Sequence, residues 1–354
     1  MHQRRDLSLV NKYYTSSYGK DSFTAGVKAP QDTCLLLERR GYKRIGFYEE
    51  TKRGIKAISK ICRALSWLFL FFSIRPDSLV VMQFPYNITN QANFFIPIIK
   101  RYKKTKFLFV LHDIDSARDY NNDTNEKTES AILNADYLIC HNDSMRELLI
   151  NKGIPENRLF VLKMFDYLTE HSGSIKNNSG GIIIAGNLGE SKSPYLYKLL
   201  KMKRDYTINL YGPFYKENSE YYNSVYHGVF KPEELPNVLE GAFGLVWDGD
   251  STDTCSGSTG EYLKYNNPHK ASLYIASGIP LIVWDQSAIS TYVKKQGVGI
   301  TISSLSQIND IMGNMDEKSY QNLRNNTIEE SKKVTSGYYF NHVMNEIELI
   351  ISES

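Results

Sequence analysis

The sequence predicts an α/β protein built from two doubly wound parallel-sheet domains, and three observations lead there. Its 354 residues, 42% of them hydrophobic, suffice for two domains that each bury a core. Short β-rich apolar runs alternate with helix-length stretches, the pattern of a parallel sheet with helices on both faces. A polar stretch rich in Gly, Ser and Asn, HSGSIKNNSGG from His171 to Gly181, separates two such series as a linker would.

In the first series, strands are expected at Ile45 to Tyr48, Leu79 to Phe84, Phe107 to Leu111 and Tyr137 to Cys140. In the second they are expected at Ile182 to Ala185, Ile208 to Tyr211, Val225 to Phe230, Gly244 to Trp247 and Leu281 to Trp284. The division is residues 1–169, residues 170–337 and a terminal helix over 338–354. That helix carries Val343, Ile347 and Ile350 at helical spacing, and in two-lobed enzymes such a helix can return to the first lobe.

Charge is divided unevenly. Residues 1–169 hold 26 Lys and Arg against 18 Asp and Glu, whereas residues 170–354 hold 16 against 21. The first half is thus the better match for an anionic partner such as a membrane surface, a lipid diphosphate or a nucleic acid. Within it, ICRALSWLFLFFSI from Ile61 to Ile74 is strongly apolar but shorter than the ~20 residues that span a bilayer. Lys52, Lys56, Lys60 and Arg63 share one helical face beside it, which suits a basic helix lying on an anionic membrane; the alternative is a buried helix with its lysines in water. The N-terminus lacks the n-region, h-region and cleavage site of a secretory signal, so a cytoplasmic protein is expected, with the inner membrane face as a place of attachment. The four cysteines, Cys34, Cys62, Cys140 and Cys255, lack CxxC spacing, which argues against a disulfide framework and a zinc site.

The densest concentration of polar chemistry lies between two buried-strand patterns, in WDGDSTDTCSGSTGEYLKYNNPHK from Trp247 to Lys270. A stretch that starts at a strand's C-terminal end stands where open α/β sheets bind ligands. Lys270 opens a helix that stops at Gly278, and a cation added to free N–H groups at a helix start suits a phosphate or diphosphate. Gly186, Asn187 and Gly189 form a small-residue turn after a strand, without the complete GxGxxG pattern of a dinucleotide site. His112, Asp113 and Asp115 follow the strand ending at Leu111, where a carboxylate could take a proton from an acceptor hydroxyl; capping by Asp115 and a core role for His112 are the alternatives. Two Asp-x-Asp matches, Asp113–Asp115 and Asp248–Asp250, lie in different halves, and no metal is expected. Tyr274 and Trp284, inside regular elements, read as core.

The blocks LHDIDSAR, ICHNDSM, KMFDYL, IIIAGNLGESK and FGLVWDGDSTDTCSGSTGEYLKYNNPHKASLY resemble the bacterial β-1,6-galactofuranosyltransferases of O-antigen and capsule gene clusters. More distantly, the chain is similar to the streptococcal glucosyltransferases that extend glycans on serine-rich adhesins. The resemblance runs from about Phe23 to Phe340, and the WDGDSxxTCSG and KxNNPHK blocks are its most specific part. It implies a GT-B enzyme whose two Rossmann-like domains face across a cleft, with the nucleotide sugar held mainly by the second. By the same resemblance Asn187, Tyr211, Asp248, Tyr262, Lys264, Asn267 and Lys270 become donor-site residues, joined by Gly186 from the small-residue turn. Ala25-Gly26-Val27-Lys28-Ala29 looks like the family's first-lobe loop, from which Lys28 would reach the diphosphate.

The expectation is transfer of galactofuranose from UDP-galactofuranose to a glycan hydroxyl with inversion, without cofactor or metal, to an acceptor that is lipid-linked or part of a cell-surface glycan. No nucleic acid is an expected partner. A transferase of the same architecture using UDP-glucose or UDP-galactose is the nearest alternative. A nucleotide-sugar epimerase or dehydrogenase would combine a complete glycine fingerprint with Tyr-x-x-x-Lys, and that combination is missing. A catalytically dead sugar-binding partner would have lost its charged residues, and they are present.

Overall fold

The computed structural model describes residues 11–16, 25–48, 56–85, 88, 90–114, 117, 129–170 and 180–353. Contacts divide the chain into two units, the second of which comprises Lys163–Tyr339 with the beginning of the first helix through Ala29. The remainder, including Phe340 onward, forms the first. The change of unit thus falls at Lys163, ahead of the polar stretch 171–181, of which residues 171–179 lie outside the described residues.

Among the described residues, the first unit forms a six-stranded sheet in the order β2-β1-β3-β4-β5-β6, with parallel pairings. Its strands are β1 (Lys12–Ser16), β2 (Lys43–Gly46), β3 (Leu79–Phe84), β4 (Lys106–Leu111), β5 (Tyr137–Cys140) and β6 (Leu159–Val161). Helices α1 (Ala25–Arg39), α2 (Lys56–Ser73), α3 (Ala92–Lys103) and α4 (Asp143–Asn151) connect them. β3, apolar but for Gln83, and the wholly apolar β5 are buried throughout, as expected for strands covered on both faces. Trp67 fixes the inner face of α2, with its ring edge-on to Phe47 and stacked on Phe95. Two helix ends are set locally: Asn142 accepts a bond from the Met145 N–H to cap the start of α4, and α3 ends at Lys104 in the left-handed region.

The second unit repeats the plan in the order β12-β11-β10-β7-β8-β9, again wholly parallel. Its strands are β7 (Ile182–Ala185), β8 (Ile208–Tyr211), β9 (Ser224–Gly228), β10 (Phe243–Val246), β11 (Leu281–Trp284) and β12 (Gly299–Ile302). Helices are α5 (Pro194–Lys201), α6 (Leu235–Val238), α7 (Gly257–Glu261), α8 (His269–Ala276), α9 (Ile289–Gln296), α10 (Ile308–Asn314) and α11 (Glu317–Ser336). Gly278, at φ +69°, ends α8 in the left-handed conformation that its glycine permits. Trp247, Trp284 and Tyr274 are fully buried, so the core reading of the latter two holds.

The last helix, α12 (Tyr338–Glu353), belongs to the first unit from Phe340. Its Glu348 accepts bonds from Arg40 and from the Tyr42 hydroxyl at 2.7 and 2.8 Å, with Lys12 at 3.2 Å; burial acts to raise its pKa, but these donors and cations together outweigh it and hold the carboxyl below its ordinary value. The apolar face differs by one residue from the expected one. Val343 and Ile347 are buried, but Ile351 and Met344 complete the face while Ile350 is exposed.

Three strands escaped the sequence reading: β1, β6 and β12. The last two are short sheet edges, and β1 reads as polar yet lies between β2 and β3, where its Thr15 and Ser16 are buried. A further difference concerns residues 25–29. They are the opening of α1 rather than a loop, and Lys28 and Ala29 cluster with the second unit. Among the described residues no helix is long and apolar enough to cross a membrane.

Candidate functional site

The strand order of the second sheet reverses between β7 and β10, and the crevice beyond the carboxyl ends of strands at such a reversal is where open α/β sheets bind ligands. Pairing between these two strands extends over only two positions, Phe243 with Ile182 and Gly244 with Ile183. Beyond them the strands part. The Tyr274 hydroxyl of α8 fills the opening, accepting from the Ala185 N–H at 2.8 Å and donating to the Ile183 carbonyl at 3.4 Å. Only glycine at 244 permits this, since a Cβ there would lie 2.2 Å from the Tyr274 ring. Burial raises the pKa of Tyr274, which keeps the wedge a neutral phenol.

Gly186 and Asn187 leave β7 at this opening, beside the end of β8. Gly212 stands so close that a Cβ on it would meet the Gly186 carbonyl oxygen at 1.8 Å, and both residues have φ in the range that side chains avoid, +130° and +142°. Asn187 accepts the Gly189 N–H at 2.9 Å, so its side chain shapes the turn. Across the opening, Lys270 in the first turn of α8 donates to the Trp247 carbonyl at 2.5 Å and stands 4.0 Å from the Asp248 carboxylate. The cation is therefore held over the end of β10 with helix N–H groups beside it.

Gly186, Asn187, Tyr211 and Lys270 line one cavity of about 250 Å³, so four residues expected at the donor site come together. The sequence reading missed Tyr167, His269 and Phe230 in the same wall. Tyr167 lies in the KMFDYL block and His269 directly precedes Lys270, but no spacing marked either as a wall residue. The two rings stack with centroids 5.3 Å apart. Tyr211 stacks on His227 at 4.5 Å, and burial pushes its phenol up to about 12. A wider open depression of about 620 Å³ shares Asn187 and Phe214 and also carries Glu190 and Lys216.

Other expected donor residues stand outside that wall. Tyr262 is buried in the turn Tyr262–Lys264. Lys264 pairs with Glu261 and lies over the Trp284 ring, while the buried Asn267 donates to the Lys163 carbonyl at 2.7 Å. Lys28 is buried, donates to the Leu168 carbonyl at 2.7 Å and sits 5.1 Å from the Tyr167 ring centroid. Its charge thus bears on the cavity through Tyr167. Asp250 accepts from Ser256, and its carbonyl accepts from Lys198 at 2.6 Å. Burial pushes the Cys255 thiol up to about 12 despite the pull of Lys270, so it is an inert packing group.

In the first unit, His112 is buried and bonded through Nε2 to the side-chain Oε1 of Gln83 at 2.7 Å; the Gln83 Nε2 in turn donates to the Pro30 carbonyl. Asp113 is half-buried beside it. Asp115 lies outside the described residues. Among the described residues, no group of three or more His, Cys, Asp and Glu side chains is placed to hold a metal ion.

Two parallel-sheet Rossmann-like units define the GT-B class of glycosyltransferase folds. The solved structure of HepE from Anabaena, in complex with UDP, shares this fold at a TM-score of 0.56 and 14% identity, covering 96% of this chain and 99% of that one. Residues 11–164 match the N-terminal domain and residues 182–347 the C-terminal domain of the family described as glucosyltransferase 3-like. The chain belongs to that family of glycosyltransferases. It is 31% identical to β-1,6-galactofuranosyltransferase WbbI of Escherichia coli K12, over 95% of this chain and 98% of the relative. It is 22% identical to glucosyltransferase 3 of Streptococcus gordonii, over 93% and 96% of the two chains.

Proposed function

We propose that the protein transfers galactofuranose from UDP-galactofuranose to a hydroxyl of a surface-polysaccharide intermediate, with inversion. The observation that carries this reading is the full-length 31% identity to a galactofuranosyltransferase, joined to a cavity of suitable chemistry at the reversal of the second sheet. Lys270 and the start of α8 would take the UDP diphosphate, and the Tyr211 side of the cavity would take the uridine by ring contact. The acceptor oxygen forms a bond to the anomeric carbon as the bond from that carbon to UDP breaks. Negative charge then grows on the departing diphosphate, where Lys270 is worth most. The acceptor proton passes to Asp113 or Asp115.

No metal is required in this reading. The Lys270 ammonium, 4.0 Å from the Asp248 carboxylate, supplies the positive charge that a divalent ion would otherwise bring to the diphosphate. We place the enzyme in the cytoplasm at the inner face of the membrane, acting on a lipid-linked acceptor. The family description and the S. gordonii relative favour a second reading, a glucosyltransferase using UDP-glucose. Purified protein assayed against UDP-galactofuranose, UDP-galactose and UDP-glucose, with and without excess EDTA, separates these readings. UDP-galactofuranose should be the preferred donor and EDTA should leave the rate unchanged. Preference for UDP-glucose overturns the donor assignment, and a loss on chelation restored by manganese overturns the metal-free one.

A further inference from the structure

The sequence suggests a basic face for the α2 helix, but its outward face is apolar. Ile58, Ile61, Leu65, Leu68, Phe69 and Phe72 are all exposed, Phe72 to 77%. Their spacings of three, four, three, one and three residues put them in one stripe along the helix. The opposite face is anchored by Trp67 and Leu70, with Ile74 just past the helix end, each at most 2% exposed, so a fixed helix displays the stripe. Lys60 and Arg63 fall off that row, Lys52 lies outside the described residues, and the Lys56 side chain is likewise undescribed. Six large apolar side chains in a single outward row exceed the scattered exposure of an ordinary surface and mark an interaction face.

Charge selects the occupant. From Lys56 to Lys106 the sequence holds nine Lys and Arg and a single acidic residue, Asp77. The C-terminal end of α2 meets the basic end of α3: Lys103 donates to the Ile74 carbonyl at 3.3 Å and lies over the Phe71 ring. Arg75, Arg101 and Lys104 are exposed in the adjoining segments. A symmetric contact between two copies would set this basic surface against itself, which like charges oppose. An anionic bilayer surface satisfies both features at once, taking the apolar side chains among its acyl chains and the cations at its headgroups.

We infer that α2 docks the first unit in the plane of an anionic membrane through the stripe from Ile58 to Phe72. The helix lies in the interface and does not cross it. The inference does not rest on the donor assignment, because binding to lipid can be read without any nucleotide sugar.

The experiment is cosedimentation of full-length protein with vesicles of equal parts phosphatidylglycerol and phosphatidylcholine, beside vesicles of phosphatidylcholine alone. Wild type should sediment with the anionic vesicles, less so as salt rises, and weakly or not at all with the neutral ones. Phe69→Ser with Phe72→Ser should lose sedimentation while retaining the wild-type unfolding midpoint and transfer to a soluble acceptor, since both side chains stand in solvent. Absence of wild-type binding to anionic vesicles at low salt overturns the inference, as does undiminished binding by the double variant. A concentration-dependent dimer that the same double substitution dissolves, without vesicle binding, would give the stripe to a second copy instead.

Discussion

The carboxyl ends of β4 and β10 are built from similar parts and finish differently. At the first, β3 and β4 remain paired through Phe84 and Leu111, and the His112 N–H continues the ladder to the Phe84 carbonyl at 2.9 Å. His141 closes it further by donating through Nε2 to the Leu111 carbonyl at 3.0 Å. At the second, β10 leaves β7 after two pairs, a tyrosine hydroxyl occupies the gap, and a lysine reaches back over the strand end. A closed ladder satisfies the backbone with backbone and ring nitrogen and offers only its rim. A parted one exposes polar groups around a cavity, which is where a ligand gains from them.

On this contrast, the largest effect of a single substitution belongs to Lys270. Lys270→Ala should cost about 2 to 4 kcal/mol of transition-state stabilisation, the loss expected for one preorganised charge donor. Turnover with the preferred UDP-sugar measures it, and circular dichroism should show the fold intact. An unchanged rate would remove Lys270 from the site and leave the parted strands without a catalytic role. Asp113→Asn supplies the contrast at the rim: under the proposed general-base role it meets the acceptor, so transfer should slow by less than in Lys270→Ala while UDP affinity stays near wild type.

The parted end was partly legible in advance. Gly186, Asn187 and Lys270 announce themselves because turn chemistry and helix starts are local properties, written within a few residues. Tyr167 and Phe230 are far apart in sequence and become one wall only through the fold, so no local pattern could join them. Lys28 shows the same limit in reverse. Its block resembles a family segment, but that its ammonium is sealed between Leu168 and Tyr167 follows from packing alone. Among the strands, the apolar runs of β3 and β7 are self-evident, whereas β1 owes its burial to the strands beside it and hides behind Lys12, Thr15 and Ser16.

The closed end carries a pH dependence of its own. Burial lowers the His141 pKa to about 4, from an ordinary value near 6.5, because a charged ring would lose its water. The unfolded chain therefore takes up this proton first on acidification. Stability is fully present above about pH 6.5 and declines toward pH 4, by about 3 kcal/mol over the window. Urea unfolding at a series of pH values measures the slope, and His141→Asn, which retains an N–H donor for the Leu111 carbonyl, should remove this part of it. A slope that persists undiminished in the variant would assign the acid sensitivity to other groups, Glu348 among them.

The smallest effect expected is at the wedge itself. Tyr274→Phe keeps the ring that packs against Gly244 but removes the hydroxyl, leaving the buried Ala185 N–H without its acceptor and the Ile183 carbonyl without that donor. A buried backbone donor stripped of its partner costs about 1 to 3 kcal/mol, so the urea midpoint should fall by that amount while the protein still folds. The same deletion tests whether the wedge positions the site. Gly186 and Asn187 follow Ala185 directly, and a strand end freed of its bond to α8 should hold them less firmly, weakening UDP binding by calorimetry beyond what the modest loss of stability explains. Wild-type UDP affinity in a destabilised Tyr274→Phe protein would mean that the parted strands are held open by packing of the ring, with the hydroxyl serving the fold alone.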